Sequence, residues 1–494
     1  MTETLSLMQL YPILLIAVLL ARDGGLLLAD GNMAITGWGA LAIAYGPIIA
    51  LLVITQFAVL WYQKRLTRGD TPEAIIAAER FVRIARWFIL IHHVLIVLVF
   101  DWLSAIRDVV GNKILLDELI AIMPALIGIL GIWWVYYPIE RRIRDALLMR
   151  RFDQGQPIYP FPSRSKYVLM QARIQLLLLL VPLLLILTLA ETIDTALDPW
   201  SGRAWFGPVS DITSLAAGIS VFMFAPLVAR YVLGLVPMPQ GQTLNDLEGV
   251  CKAQKVKVRS ILLWKTDGAM INAAVMGLIG RLRYVMLTDA LLETLSRRQV
   301  QAVMAHEIGH IRKQHMPWLV GSLLAVISAM SMVAGITIEL LNRTSGNSAI
   351  SQTWFEGVAA STTLLALFFV FGWVSRRFER QADTFAVQHL SQWPIVYADH
   401  QADEAAATSN EVTLESVQTM QGALHTIARL HAVPRSRKSW RHGSIQWRSQ
   451  YLARIIGLDG EKLLIHRQIR WIKIISGFIL SLTLIYIIIG TVFG

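Results

Sequence analysis

The chain has 494 residues, 55% of them hydrophobic and only 16% charged, with 45 Lys and Arg against 34 Asp and Glu. Soluble proteins carry about 25% charged residues, so lipid is the solvent for much of this chain and a single soluble domain is a poor description of it. The formal net charge of +11 does not mark nucleic-acid binding, because the basic residues form no single patch but gather in loops beside apolar runs, as in membrane proteins. The lone cysteine, Cys251, excludes an intrachain disulfide framework and a thiolate metal cluster; it reads as a small packing residue.

A bilayer core about 30 Å thick takes about 20 apolar residues of helix to cross. Nine candidate spans meet that requirement, near residues 5–21, 38–61, 87–106, 119–137, 174–190, 212–235, 317–341, 355–374 and 471–493. The first lacks a basic start and a small-residue cleavage site, so it reads as a retained anchor rather than a signal peptide. His92 and His93, in the third span, read as residues satisfied inside a helix bundle. Asp101 and Glu118 are expected at the outer interface.

The loops predict the topology. Lys64, Arg65, Arg68, Arg80, Arg83 and Arg86 follow the second span, and Arg141, Arg142, Arg144, Arg150, Arg151, Arg164, Lys166 and Arg173 follow the fourth. The alternate loops hold only Arg22, Arg107, Lys113, Arg203 and Arg343. The positive-inside rule then places the N-terminus and the long polar segments 236–316 and 375–470 in the cytoplasm, and the C-terminus outside. A bacterial inner membrane is the expected location. The predicted organisation is a six-span membrane domain (1–235), a polar domain interrupted by two spans (236–470) and a last span (471–494). The fold class is mainly α, a polytopic bundle with a cytoplasmic α+β domain. Within the first polar segment, alternation near 256–265 and 283–287 predicts strands, and 272–277 a third, paired through a turn around Gly277–Gly280. From Ser296 the pattern turns helical.

That helix carries His306-Glu307-Ile308-Gly309-His310. Four-residue spacing puts both imidazoles on one helical face, with Glu307 beside them, close enough to reach a metal-bound water. Two histidines and a glutamate in this order are the arrangement of zinc peptidases. A catalytic zinc also needs a third protein ligand and an open position for water. A histidine six residues after His310 would supply the ligand, but that position is Met316; His315 stands one residue too early and reads as a solvated surface residue. Glu379 is the better candidate. It shares a helical face with Asp383, which could fix a ligand histidine's tautomer, although a charged helix exit at the membrane surface would show the same spacing. His310 precedes the seventh span and Glu379 follows the eighth. Two adjacent antiparallel spans would therefore bring them to one surface.

With these residues in place the sequence resembles the HtpX and CAAX-prenyl-endopeptidase family of integral-membrane zinc metallopeptidases. The resemblance runs through Asn272-Ala273-Ala274, Tyr284–Asp289, Leu291-Leu292-Glu293, Gln299-Val300, His306–His310, and Arg377-Phe378-Glu379 to Asp383 and Ala386. It covers roughly residues 240–455. It implies one zinc per chain held by His306, His310 and Glu379, with Glu307 as general base and Asp383 as an outer carboxylate. Asn272 and Ala273 match the family's edge strand, where an extended substrate is added as a further strand. The family's histidine before a proline, and the arginine after it, have counterparts in His442 and Arg448. Gly443 departs from the proline, and His400, His425 and His431 are alternative alignments for the histidine. The first six spans match no part of the family.

The activity so implied is hydrolysis of membrane proteins, their cytosolic tails or lipidated peptides at the bilayer surface by metal-activated water, with no acyl-enzyme. Two other readings compete: a transporter or scaffold with an inactive peptidase domain, and a regulatory metal-binding membrane protein. The intact Glu307 argues against the first.

Overall fold

The computed structural model describes residues 11–28, 37–67, 71–153, 159, 161–203, 206–268, 270–345, 349–392, 410–431 and 433–493. The chain forms two compact units, Met1–Leu235 and Val236–Gly494. Among the described residues eight helices are long and apolar enough to cross a membrane, and the chain is an integral membrane protein.

The first unit is all helix: α1 (Tyr11–Asp23), α2 (Gly37–Thr67), α3 (Thr71–Leu98), α4 (Trp102–Val110), α5 (Leu116–Asp153), α6 (Arg164–Ala172), α7 (Leu178–Leu197) and α8 (Phe206–Val232). Only 13 residues of helix are described where the first span was expected; residues 5–10 lie outside the described residues. The third predicted span ends early. Its helix stops at Leu98, Asp101 turns into left-handed backbone at φ 51°, and Trp102 starts a separate short helix. The Asp101 carboxylate is clamped there by Arg22 at 2.6 and 2.8 Å. Glu118, 2% exposed, pairs with Arg107. His92 and His93 each bond a carbonyl within the bundle, those of Ile43 (3.0 Å) and Leu15 (3.2 Å), while His93 Nδ1 is buried without a hydrogen bond.

The second unit begins with β1 (Val236–Pro237), α9 (Gln242–Ala253), β2 (Ser260–Trp264), β3 (Ala273–Met276) and β4 (Tyr284–Thr288). The sheet order is β1-β2-β4-β3, with β2 parallel to β4 and β3 antiparallel to it, so β3 is an edge. The predicted hairpin between β3 and β4 is present, whereas the strand expected over 256–265 is limited to Ser260–Trp264. After α10 (Asp289–Thr294), helix α11 (Arg297–Arg312) opens with a capping box: Ser296 accepts from the Gln299 backbone, and the Gln299 side chain accepts from the Ser296 backbone. Two orphan backbone donors are satisfied at once, which fixes where the catalytic-motif helix starts.

Helices α12 (His315–Ser345) and α13 (Ala349–Gln392) follow, then α14 (Leu414–Leu430), α15 (Ile445–Arg454) and α16 (Leu464–Phe493). At 44 residues, α13 is about 66 Å long. That is twice what a bilayer core requires, so its C-terminal half continues into the polar domain. There it packs on α11. Gly309 permits the close approach, since a Cβ at that position would lie 3.1 Å from the Phe385 ring. Ala302, Ala305 and Ala386, all fully buried, belong to the same core.

Candidate metal centre

Helix α11 presents His306 and His310 on one side, and α13 brings Glu379 to them. One ligand atom from each lies within 4.8 Å of the others. His306 Nε2 is 3.2 Å from His310 Nε2, and the Glu379 carboxylate is 3.7 Å from the first and 3.8 Å from the second. A tetrahedral ion with bonds of about 2.0–2.1 Å to nitrogen would hold two donors about 3.3–3.4 Å apart, so the nitrogens already have the right spacing.

The protonation of the two rings supports the fit. His306 Nδ1 lies 2.9 Å from Asp383 Oδ1, so in the neutral ring Nδ1 carries the proton and Nε2 the lone pair. Burial pushes His306 downward, but Asp383 more than offsets this and leaves the ring raised from its ordinary value. His310 is set by a longer chain. The Gly460 carbonyl can only accept, so His466 Nε2 (3.0 Å) donates to it. His466 Nδ1 then accepts from the Gln381 amide at 2.7 Å, and Gln381 Oε1 accepts from His315 Nε2 at 2.9 Å. His315 Nδ1 is left to accept from His310 Nδ1, also at 2.9 Å. His310 Nε2 thus bears a lone pair too. Burial holds His310 neutral, with its pKa lowered to about 4. At 3.2 Å the two Nε2 atoms call for a cation between them, a metal ion or the proton that the raised His306 favours. The residues present therefore fit a metal ion.

His315 is the functional residue that sequence reasoning missed. It is 3% exposed rather than solvated, and its ring stacks on Phe378 with centroids 4.5 Å apart and planes at 5°. Helix α11 ends at Lys313, Gln314 takes a left-handed φ of 56°, and α12 begins afresh. That break returns His315 to His310, where an unbroken helix would carry it round to another face. No spacing rule for helices shows such a contact; the signal available was the third histidine so close to the motif.

Arg448, on α15, stands behind the ligands. It makes a two-pronged contact with Asp383, Nε to Oδ2 at 2.7 Å and the second nitrogen to Oδ1 at 2.5 Å, and reaches Glu379 at 3.2 Å. These buried carboxylates are thereby charge-compensated, which a buried anion requires. His442 Nδ1 touches Glu379 Oε1 at 2.9 Å, and its side chain is half exposed. Of the alternative histidines, His425 bonds Ser449 and His431 bonds the Ile271 carbonyl, while His400 lies outside the described residues. Gly443 sits at φ 74°, a conformation closed to proline, whose φ is locked near −65°. The departure from the family's proline is thus a different loop backbone beside His442.

Glu307 lies beside the two histidines on α11. Its Oε2 accepts from the backbone N–H of Val275 at 3.3 Å. Burial raises its carboxyl to about 7, against a downward pull from His306. The contact orients strand β3: Val275 turns its donor toward the site, and its alternation partner Ala273 does the same. Asn272 faces β4 instead, accepting from the Thr288 backbone and donating to the Thr288 hydroxyl, each at 3.0 Å.

Fold and donor set together define an integral-membrane protein with a His-Glu-x-x-His centre completed by a glutamate from a second helix. The family model for peptidase family M48 matches residues 247–423. That match bears out the resemblance to the HtpX and CAAX-prenyl-endopeptidase family. A Protease HtpX homolog of Pyrobaculum calidifontis is 27% identical over 182 residues, 36% of this chain and 50% of that protein. The Plastoglobule-localized metallopeptidase 48, chloroplastic, of Arabidopsis thaliana is 27% identical over 93 residues, 18% of this chain and 27% of that protein. The chain thus spans half or less of the length of these relatives. The crystal structure of S. mikatae Ste24p aligns over 84% of this chain and 99% of its own at 16% identity, with a TM-score of 0.36.

Proposed function

We propose that this protein is a membrane-embedded zinc endopeptidase that cleaves membrane-associated or membrane-proximal proteins at the cytoplasmic bilayer surface. The observation that carries the reading is the convergence of His306, His310 and Glu379 beside a base, Glu307, that itself touches an edge strand. His306, His310 and Glu379 would hold the zinc, one ion per chain. Zinc at such a site supplies Lewis acidity toward a scissile carbonyl and acidifies water to a pKa of about 7.

The chain's own residues do the rest. Ala273 offers its outward backbone groups and Val275 its outward carbonyl, to which an extended peptide adds as a strand. This lays the peptide across Glu307. Glu307, with its carboxyl raised toward neutrality, takes a proton from the attacking water and returns it to the leaving amine. His442, half exposed beside Glu379, stands where it can donate to the oxygen that gains negative charge. Asp383 and Arg448 act through the ligands, fixing the His306 tautomer and the Glu379 carboxylate.

The test is cleavage of casein by the purified protein in detergent, with metal content measured on the same samples. Wild type should carry about one zinc per chain and lose activity to a chelator; Glu307→Gln should keep the zinc and lose about a hundredfold to ten-thousandfold in turnover. Zinc-loaded wild type no more active than Glu307→Gln would overturn the reading in favour of an inactive scaffold.

A further inference from the structure

On the other side of α13 from Glu379 lies a cavity of about 510 Å³. One face of α13 forms a wall, with Gln381, Phe385, Gln388, His389 and Gln392. The first turns of α16 form another, with His466, Arg470 and Lys473, and Lys313 closes it from the α11–α12 turn. Three permanent cations thus face one carboxylate, Glu461. Among the described residues none of the three makes an ion pair. Lys473 donates instead to the Lys313 carbonyl at 2.8 Å and lies over the Trp318 ring, and Lys313 lies over Phe385.

Arg470 is exposed, but Lys313 and Lys473 are half-buried, and partly desolvating cations without counter-charge is costly. Burial, and then neighbouring Arg312, hold Lys313 below the usual lysine value. Such an arrangement suits an anion that takes several donors at once, and phosphate does so from arginine and lysine together. The places of these cations at the ends of apolar helices point to the source. Lys313 immediately precedes the span beginning at His315, and Arg470 and Lys473 lie in the first turns of the span Leu464–Tyr486. Trp471, 59% exposed, and Trp318 lie at the same level, as tryptophans do at headgroup depth. Basic pockets between membrane helices at that depth accept lipid headgroups.

Two wall residues connect the cavity to the metal centre. Gln381 and His466 line it, and both belong to the hydrogen-bond chain that ends on His310. We propose that the cavity binds a phosphate-bearing anion, the headgroup of an anionic membrane lipid, through Lys313, Arg470 and Lys473. Its occupancy tightens the metal centre through Gln381 and His466. The binding claim stands on the cavity alone; the coupling rests on the metal centre proposed above.

The experiment reconstitutes the full chain into phosphatidylcholine nanodiscs, with and without phosphatidylglycerol, and with free inorganic phosphate as a separate arm. Lipid retained by the protein is counted by native mass spectrometry, and the thermal midpoint and zinc affinity are measured in each. We expect retained phosphatidylglycerol, a midpoint raised by a few degrees and tighter zinc binding. We expect Lys313→Gln/Arg470→Gln to abolish all three, and Arg467→Gln, exposed on the same helix outside the cavity, to keep them. Equal lipid retention by the double variant would overturn the site. The same response to free phosphate in phosphatidylcholine would overturn the lipid as source while keeping the phosphate chemistry. Retained lipid without a change in zinc affinity would overturn the coupling and leave the peptidase reading untouched; a protein with no zinc site at all would instead fail the test of that reading.

Discussion

Replacing His315 by Phe isolates one contribution to the metal centre. Phenylalanine keeps the ring that stacks on Phe378 at 4.5 Å, so packing is conserved while both ring nitrogens are lost. His310 Nδ1–H loses its acceptor and Gln381 Oε1 its donor, each from a bond of 2.9 Å. Removing the partner that orients a ligand histidine costs about 10–100-fold in metal affinity, which is about 1.4–2.8 kcal/mol. The stranded Gln381 oxygen adds about 1–3 kcal/mol of destabilisation to loaded and metal-free protein alike. The two effects separate in the assay. Zinc affinity is read by competition with a chromophoric chelator, and the thermal midpoint is read with and without zinc. His315→Phe should lower the metal-free midpoint and, in addition, weaken zinc by the stated factor. A lowered midpoint with zinc affinity within about twofold of wild type would refute the reasoning, because the whole effect would then be structural.

Other perturbations act at different points of the site. Arg448→Met leaves Asp383 and Glu379 without their buried counter-charge; a loss of about 3–5 kcal/mol is expected, visible as a lower midpoint on denaturant titration. Val275→Pro deletes the donor that faces Glu307 without touching the ladder to β4, so the protein should fold, bind zinc and cleave poorly. Ala274→Pro deletes a ladder donor and should lose stability first; matching, wild-type-like behaviour of the two would count against strand addition. Protonated Glu307 cannot accept a proton, and burial raises its carboxyl from 4.5 to about 7. Activity should therefore fall as pH drops, and since a bound dication pulls the value down, the midpoint should lie between those two values. An acid limb in kcat/KM well below 4.5 would show that another group is the base.

Much was legible along the chain because its physical cause is local. Apolar runs long enough to cross a bilayer appear wherever lipid is the solvent, and eight of the expected spans have a counterpart in the described helices. The His-x-x-x-His spacing puts two ligands on one face of any helix, and the capping box at Ser296 starts that helix without outside help. The β3–β4 hairpin is a short-range pairing and was legible for the same reason. Span ends were less so: hydropathy cannot see that Asp101 adopts left-handed backbone under the pull of Arg22. The third candidate ligand was an ambiguous glutamate until α13, packed on α11 across Gly309, brought it to the histidines. Arg448 acquired its partners the same way, and His442 was distinguished from its neighbours only by the ring that reaches Glu379. His315 was misread, since periodicity assumes an unbroken helix and the helix breaks at Gln314. Spacing along one element follows from backbone geometry that every helix shares. Which residue of another element arrives opposite depends on how the elements pack, and that arrangement arises only when the whole domain buries its core.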